Sequence, residues 1–285
     1  MIFDGQSFAE KKEIKLKEQV AQLRQRGVVP KLVSILADQS KETELYVSLK
    51  AKFAEKVGIV YDVHRFDGSQ TAAIIDFIRK ANRDPSVTGI MVQLPVANEQ
   101  EIVQVITPSK DIDCLSGENL GLVMIGRPRF LPATVRAVLE ILAYALQETE
   151  NREITGRWLT GKNICVIGAS VIVGKPLAIL LSDLGATVTL CRSTTSNLAE
   201  TVQRADILVS ATGVSELVTR EMVKPGAMVI DVGISKLLRE GKFRVMGDVD
   251  RRVLEKTSFF TPVPGGVGPV TVACLFENLL DAILT

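Results

Sequence analysis

The chain has 285 residues, with 34 Lys+Arg against 33 Asp+Glu and a formal net charge of +1. So even a balance leaves no basic footprint for nucleic acid and no polybasic patch for an anionic membrane surface, and it points to a small-molecule partner. With a single histidine, His64, neither a His-based zinc site nor a Ser-His-Asp triad is readily assembled; His64 reads as a structural side chain and no metal is expected.

The length suits two domains, each with its own core. Four cysteines (Cys114, Cys165, Cys191, Cys274) lie far apart without a C-x-x-C pair, as expected of reduced thiols in a cytoplasmic protein. Asp4, Glu10, Glu13 and Glu18 interrupt the first residues, so no signal or transit peptide is expected. The uncharged stretch Thr257 to Phe276 approaches the length of a membrane span, but Pro262, Pro264 and Pro269 break it into a loop followed by a helix.

In chain order, KLVSILA, IVYDVHRF and TGIMVQL are short β-branched runs separated by helical patterns near 42–57 and 71–82. This alternation argues a mainly parallel sheet with helices on both faces. A polar, glycine-bearing loop over 107–126 ends the unit, a helix follows at about 133–148, and ETENREITG reads as a hinge. The runs NICVIG, ATVTLC, ADILVSA, AMVIDVG and FRVMGD then recur at close to one βα repeat, with helices between the first four. That is the pattern of a Rossmann-type, doubly wound parallel sheet. The expectation is therefore α/β with two domains and a cleft between them. Residues 1–140, completed by a C-terminal helix at 269–285, form an N-terminal α/β catalytic domain, and residues 141–268 form the Rossmann domain. By itself, the last helix, TVACLFENLLDAIL, can close the Rossmann domain or cross back to the first.

Several segments can carry chemistry. Tyr46 and Lys50 are four apart and share a helix face; they are either a half-buried ring beside a solvated amine, or one wall of a site with a desolvated lysine that exchanges protons near neutrality. Val92, Gln93 and Leu94 in V-Q-L-P, and Asp113 in K-D-I-D, fall where ligands collect in open α/β sheets, although each can equally end a strand or cap a turn. PVPGGVGPVT combines restricted and permissive backbone in few residues, as a tight turn or as a wall against a flat ligand. CVIGASVIVGKP places Gly168 at a turn and Gly174 at a helix start, with Ser170 able to donate to phosphate. At the end of the next strand stand Arg192 and Ser193, where a carboxylate would signal NAD; either Arg192 is a solvated side chain on a strand end, or the pair favours the extra phosphate of NADP.

Taken together, YVSLK, GIMVQLP, KDID, GKNICVIGASVIVGKP, ATVTLCRS, ADILVSATG, AMVIDVGIS, GDVD and TPVPGGVGPVT resemble the bifunctional methylenetetrahydrofolate dehydrogenase/cyclohydrolase family in order and spacing, nearly end to end. The resemblance implies NADP-dependent oxidation of methylenetetrahydrofolate to the methenyl form, then hydrolysis to formyltetrahydrofolate, in one-carbon metabolism and purine biosynthesis. It implies that Tyr46 stacks on the folate, Lys50 handles the proton in hydrolysis, Gln93 holds Lys50, and Asp113 anchors the pterin. Val92 and Leu94 would flank Gln93 on the substrate side, and Pro264, Gly265, Gly266, Val267 and Gly268 would wall the site. Gly168, Ala169, Ser170, Arg192, Ser193 and Ile234 would meet the cofactor, and the protein would be a homodimer.

Four departures from the family pattern stand out: Cys114 and Leu115 follow KDID where Gly and an apolar residue are usual; L-P-A-T-V replaces a Pro-Cys-Thr-Pro stretch; Ala169 stands for an arginine; and Arg192 stands for a histidine. The last two suggest that the phosphate-reading guanidinium has moved from the first turn to the second strand end. The competing readings are an NADP-linked dehydrogenase of another small substrate, similar to shikimate dehydrogenase, and a diverged folate-binding protein without turnover.

Overall fold

The computed structural model describes residues 1–38, 40–239 and 242–284. The chain divides into two compact units, unit A (Ala9–Ala133 with Val272–Thr285) and unit B (Met1–Phe8 with Thr134–Thr271).

After helix α1 (Gly5–Gln25), most of which belongs to unit A, that unit runs β1 (Lys31–Leu36), α2 (Lys41–Val57), β2 (Val60–Arg65), α3 (Thr71–Arg83), β3 (Gly89–Val92), α4 (Glu99–Val103) and α5 (Gly117–Met124). The three strands are parallel in the order β2-β1-β3, because a helix occupies each crossover. Helix α2 starts where the Ser40 hydroxyl accepts the Thr43 N–H, and it stops at Gly58, whose φ of +83° takes the left-handed C-cap conformation. Side chains alternate across the sheet. Val33, Ile35, Ile90 and Val92 face α3 and pack on Ile74 and Ile78, whereas Leu32 and Met91 face the opposite core with Ala54, Val57 and Phe276. The stretch 107–126 is not loop throughout: Ser116 caps α5 by accepting the Asn119 N–H, and Val123 buries its side chain.

Unit B runs α6 (Ala133–Glu150), β4 (Asn163–Ile167), α7 (Gly174–Asp183), β5 (Thr187–Cys191), α8 (Leu198–Gln203), β6 (Ile207–Ser210), β7 (Met228–Asp231), β8 (Ser235–Arg239), β9 (Lys242–Met246) and β10 (Phe259–Phe260). Its main sheet is parallel in the order β10-β7-β6-β4-β5, the open twisted sheet expected of a Rossmann-type unit. Two details differ from the sequence reading. No α-helix joins β6 to β7; a single 3-10 turn at Arg220–Met222 stands there. FRVM also does not enter the parallel sheet but pairs antiparallel with Ser235–Arg239, since so short a connection cannot make a parallel crossover. The fifth parallel strand comes instead from Phe259–Phe260.

Helix α9 (Val267–Leu284) starts in unit B and continues from Val272 as part of unit A, where Leu275, Phe276, Leu279 and Leu280 join the core on the Leu32 face of the sheet. By length and a hydropathy of 1.6 it is apolar enough to cross a membrane, yet half of that window is buried inside the protein. Its apolar character is that of a core helix. His64 lies on β2 with its ring centroid 4.3 Å from that of Phe77 and Nε2 3.2 Å from Asp62, in keeping with a structural side chain. All four cysteines are free and buried.

Candidate active site

In unit A the chemistry collects at the carboxyl ends of the strands, where an open α/β sheet leaves room for ligands. The same alternation that sends Leu32 and Met91 into the core sends Ser34, Tyr61 and Gln93 to that face, and there they form a polar chain. The Gln93 amide donates to Ser34 Oγ at 2.9 Å, and the Tyr61 hydroxyl donates to the same oxygen at 3.1 Å. With its nitrogen engaged, Gln93 presents Oε1, which accepts from Lys50 Nζ at 2.9 Å; Met91 Sδ lies 3.7 Å from the same nitrogen. The orientation of an amide is thus set by its network.

Lys50 reaches this point because Ser40 fixes the start of α2, which places the Tyr46–Lys50 face against the end of β3. The residue is half-buried overall while its ammonium end is desolvated. Burial therefore pushes its pKa down to about 8, against the opposing pull of the Asp113 carboxylate. Burial likewise raises Asp113 to about 6, with Lys50 and the backbone N–H of Ala133 favouring its charged form and Asp111 opposing it. The attraction between the two opposes burial in each case without overcoming it. Tyr46 stands beside them on α2, half-buried, its phenol raised by burial.

The Asp113 turn has its own scaffold. Asp111, almost wholly buried, accepts Leu115 N–H at 3.0 Å, Ser116 N–H at 2.8 Å and Asn119 Nδ2 at 2.9 Å. Cys114 sits between with φ +57°, a left-handed conformation costing a non-glycine residue about 1–2 kcal/mol. Hydrogen bonds to a carboxylate are worth about 1.5–3 kcal/mol each, so the three on Asp111 outweigh that cost and hold the turn without glycine. Burial and the two neighbouring aspartates raise the Cys114 thiol well above its ordinary value, which keeps it protonated and unreactive.

Not every expected substrate residue joins this cluster. Val92 points to the other face of the sheet and Leu94 packs with that second core, so only their backbone lies beside Gln93. The loop at Pro264 to Gly268 belongs to unit B, where Gly265 takes φ +96° and its carbonyl accepts Gly5 N–H at 2.9 Å; Pro264 is exposed and Gly266 and Val267 are buried. Ser34 and Tyr61 escaped the sequence reading, whereas Asp111 was legible there as a residue able to cap a turn, which it does. Ser34 left one signal, a lone polar residue inside the apolar strand KLVSIL.

The pKa of Lys50 carries a direct prediction. Acylation of Lys50 by an amine-selective reagent, followed by peptide mass spectrometry, should switch on around pH 8 as the amine loses its proton. In Asp113→Asn the inflection should move lower, since the lost negative charge had favoured the ammonium. An inflection at the ordinary lysine value, unmoved by the substitution, would contradict the buried pair.

In unit B, the chain passes from β4 to β5 on one side of the sheet and then to β6 on the other, so the topological switch point lies at the end of β4. Gly168 occupies that position with φ +106°; a Cβ there would come within 2.2 Å of the Ala211 carbonyl oxygen, and one on Gly174 within 1.7 Å of the Gly168 oxygen. Only glycine allows this turn to lie flat against α7. The Ser170 hydroxyl accepts Val173 N–H at 3.1 Å at the helix entry. Ala169 is half-buried in the turn, while Arg192, Ser193 and Ile234 are exposed, with Arg192 and Ser193 directly after β5 and Ile234 shortly after β7. Two turns of chain beside this edge hang on buried carboxylates. Asp248 Oδ2 accepts Thr212 N–H, Thr212 Oγ1 and Ser210 Oγ, and Asp231 accepts the N–H groups of Gly233, Asp248 and Val249. Burial pushes the Asp231 carboxyl up to about 7. A flat turn at the switch point, a helix N-terminus behind it and an exposed arginine at the next strand end fit a dinucleotide that carries an additional phosphate.

Residues 3–113 match the model of the tetrahydrofolate dehydrogenase/cyclohydrolase catalytic domain, and residues 132–285 match that of the NAD(P)-binding domain of the same family. The bifunctional protein FolD of an Exiguobacterium species is 42% identical over 286 residues, covering 99% of this chain and 98% of the relative. Among solved structures, the bifunctional FolD dehydrogenase/cyclohydrolase of Campylobacter jejuni superposes with a TM-score of 0.91 at 36% identity, over 100% of this chain and 99% of that one. The Trypanosoma brucei enzyme, complexed with NADP cofactor and inhibitor, does so with a TM-score of 0.91 at 34% identity, over 100% and 97%. The two models together cover most of the sequence, and this chain belongs to the tetrahydrofolate dehydrogenase/cyclohydrolase family.

Proposed function

We propose that the chain oxidises methylenetetrahydrofolate to the methenyl form with NADP and hydrolyses that product to formyltetrahydrofolate. The observation that supports this most is Lys50, a lysine with a pKa of about 8 held by Gln93 at the end of β3. NADP, when bound, supplies the hydride acceptor. The carbon that loses hydride becomes a cation shared between two nitrogens, so this step calls for orientation rather than a strong base.

Hydrolysis does call for proton transfer. As water adds to the cationic methenyl carbon it must lose a proton, and as the C–N bond breaks the ring nitrogen must gain one. An amine near its pKa at neutral pH can accept the first and return the second, with one proton released overall. Lys50 takes this role, Gln93 orients its Nζ, Asp113 anchors the pterin and Tyr46 stacks on the folate. Gly168 and Ser170 receive the cofactor phosphates at the start of α7, and Arg192 with Ser193 binds the extra phosphate of NADP. The protein works as a cytoplasmic homodimer; four reduced, buried cysteines agree with that compartment.

Purified protein given methylenetetrahydrofolate and NADP should produce reduced cofactor and methenyl absorbance. Given methenyltetrahydrofolate alone, it should consume it. If neither signal exceeds background while folate still binds, the chain is a folate-binding protein without turnover.

A further inference from the structure

Helix α9 contributes more than apolar side chains to unit A. Asn278, 1% exposed, lies among Leu275, Leu279 and Leu280, where a polar group is costly unless fully bonded. Its side-chain nitrogen donates to the Ile112 carbonyl at 2.8 Å and to the Leu131 carbonyl at 2.7 Å. An amide nitrogen has two hydrogens, and both are used.

The two acceptors stand on either side of Asp113. Ile112 directly precedes it. Leu131 comes two residues before Ala133, whose backbone N–H bonds the Asp113 carboxylate. One side chain therefore ties the segment that carries the carboxylate to the segment that donates to it, although 147 and 166 residues separate Asn278 from its partners. Asp111 shapes the turn from within, and Asn119, which donates to Asp111, accepts from Arg129 at 2.8 Å, two residues short of Leu131.

We propose that Asn278 is a positioning residue for folate binding, acting through Asp113. The inference rests on the assignment of Asp113 to the pterin. Asn278 fixes where that carboxylate points, and the C-terminal helix thereby enters the specificity of the site.

The test compares Asn278→Leu, which keeps the branching of the side chain but is bulkier and loses both N–H groups, with Asp113→Asn and with the double variant. In Asn278→Leu, KM for methylenetetrahydrofolate should rise by about tenfold, a modest share of what misplacing a binding group can cost. The dissociation constant for NADP should not move. In the Asp113→Asn background the same substitution should add little, because its target is already gone. A general loss of stability would lower the melting temperature without this selectivity. If Asn278→Leu does not fold, Asn278→Ser, which keeps one short donor, gives the same comparison with a smaller rise. An unchanged folate KM in a folded Asn278 variant, with Asp113→Asn clearly impaired, overturns the inference alone. Effects that simply multiply in the double variant overturn it as well. An unchanged KM in Asp113→Asn itself removes the pterin assignment and the inference with it.

Discussion

Replacing Lys50 with methionine should lower hydrolysis of methenyltetrahydrofolate by about 10²- to 10⁴-fold, the usual worth of a positioned acid–base group, while folate binding remains measurable. Methionine is close to lysine in length and shape and is compatible with the thioether of Met91, which already lies 3.7 Å from Nζ. The Ser34–Tyr61–Gln93 chain does not depend on the lysine, since Gln93 and Tyr61 both bond to Ser34. What disappears is the amine that Gln93 holds and that favours the charged form of Asp113, whose carboxyl should rise further once the nearby positive charge is lost. Oxidation of the methylene substrate, which needs no strong base, should fall by a smaller factor. Steady-state rates for the two steps, measured separately on the same preparation, give the decisive ratio. Hydrolysis at the native rate, or an equal loss in both steps, would remove Lys50 from the role of proton carrier.

The second large effect is expected at Arg192. Arg192→Ala should lower kcat/KM with NADP by about 10- to 100-fold, the size of a lost charge-assisted contact to a phosphate, and leave the value with NAD nearly unchanged. The arginine follows directly on β5, next to the switch point, and its backbone is held in a turn. Arg192 N–H donates to Thr195 Oγ1 and Thr195 N–H donates to the Arg192 carbonyl, both at 2.9 Å. The side chain is exposed from a fixed base, and Ala169 on the turn after β4 has no guanidinium to share the work. Adding Ala169→Arg to Arg192→Ala should recover part of the preference for NADP by restoring a positive group on the first turn. Equal losses with NADP and NAD would instead make Arg192 a general support of the strand end.

The βα alternation was open to view in the sequence because its signals are local. Runs such as KLVSIL, TGIMV and NICVI are apolar over the length of one buried parallel strand, and helices of the right length lie between them. Local signals misled where partner choice decides. FRVM has the look of another Rossmann strand, yet it pairs with its immediate neighbour, while Phe259 and Phe260, too short to stand out, complete the sheet beside β7. The helix inside 107–126 was hidden for a related reason. Its start depends on Ser116 as a cap and on Asp111 gathering the preceding turn, and neither role shows in composition.

The catalytic candidates were legible as residue types in recognisable segments, and a four-residue helical spacing was enough to put Tyr46 beside Lys50. The sequence by itself determined the class of fold, the family and a small set of candidate side chains, since periodicity and motif spacing are properties of the chain alone. Only the tertiary structure decided the electrostatic state of Lys50. Its pKa depends on burial and on Asp113, more than sixty residues downstream, and burial and distance exist only once the chain is folded. The same holds for Ser34 behind Gln93, for Cys114 in a glycine-like conformation, and for Asn278 reaching back from the last helix to the turn that carries Asp113.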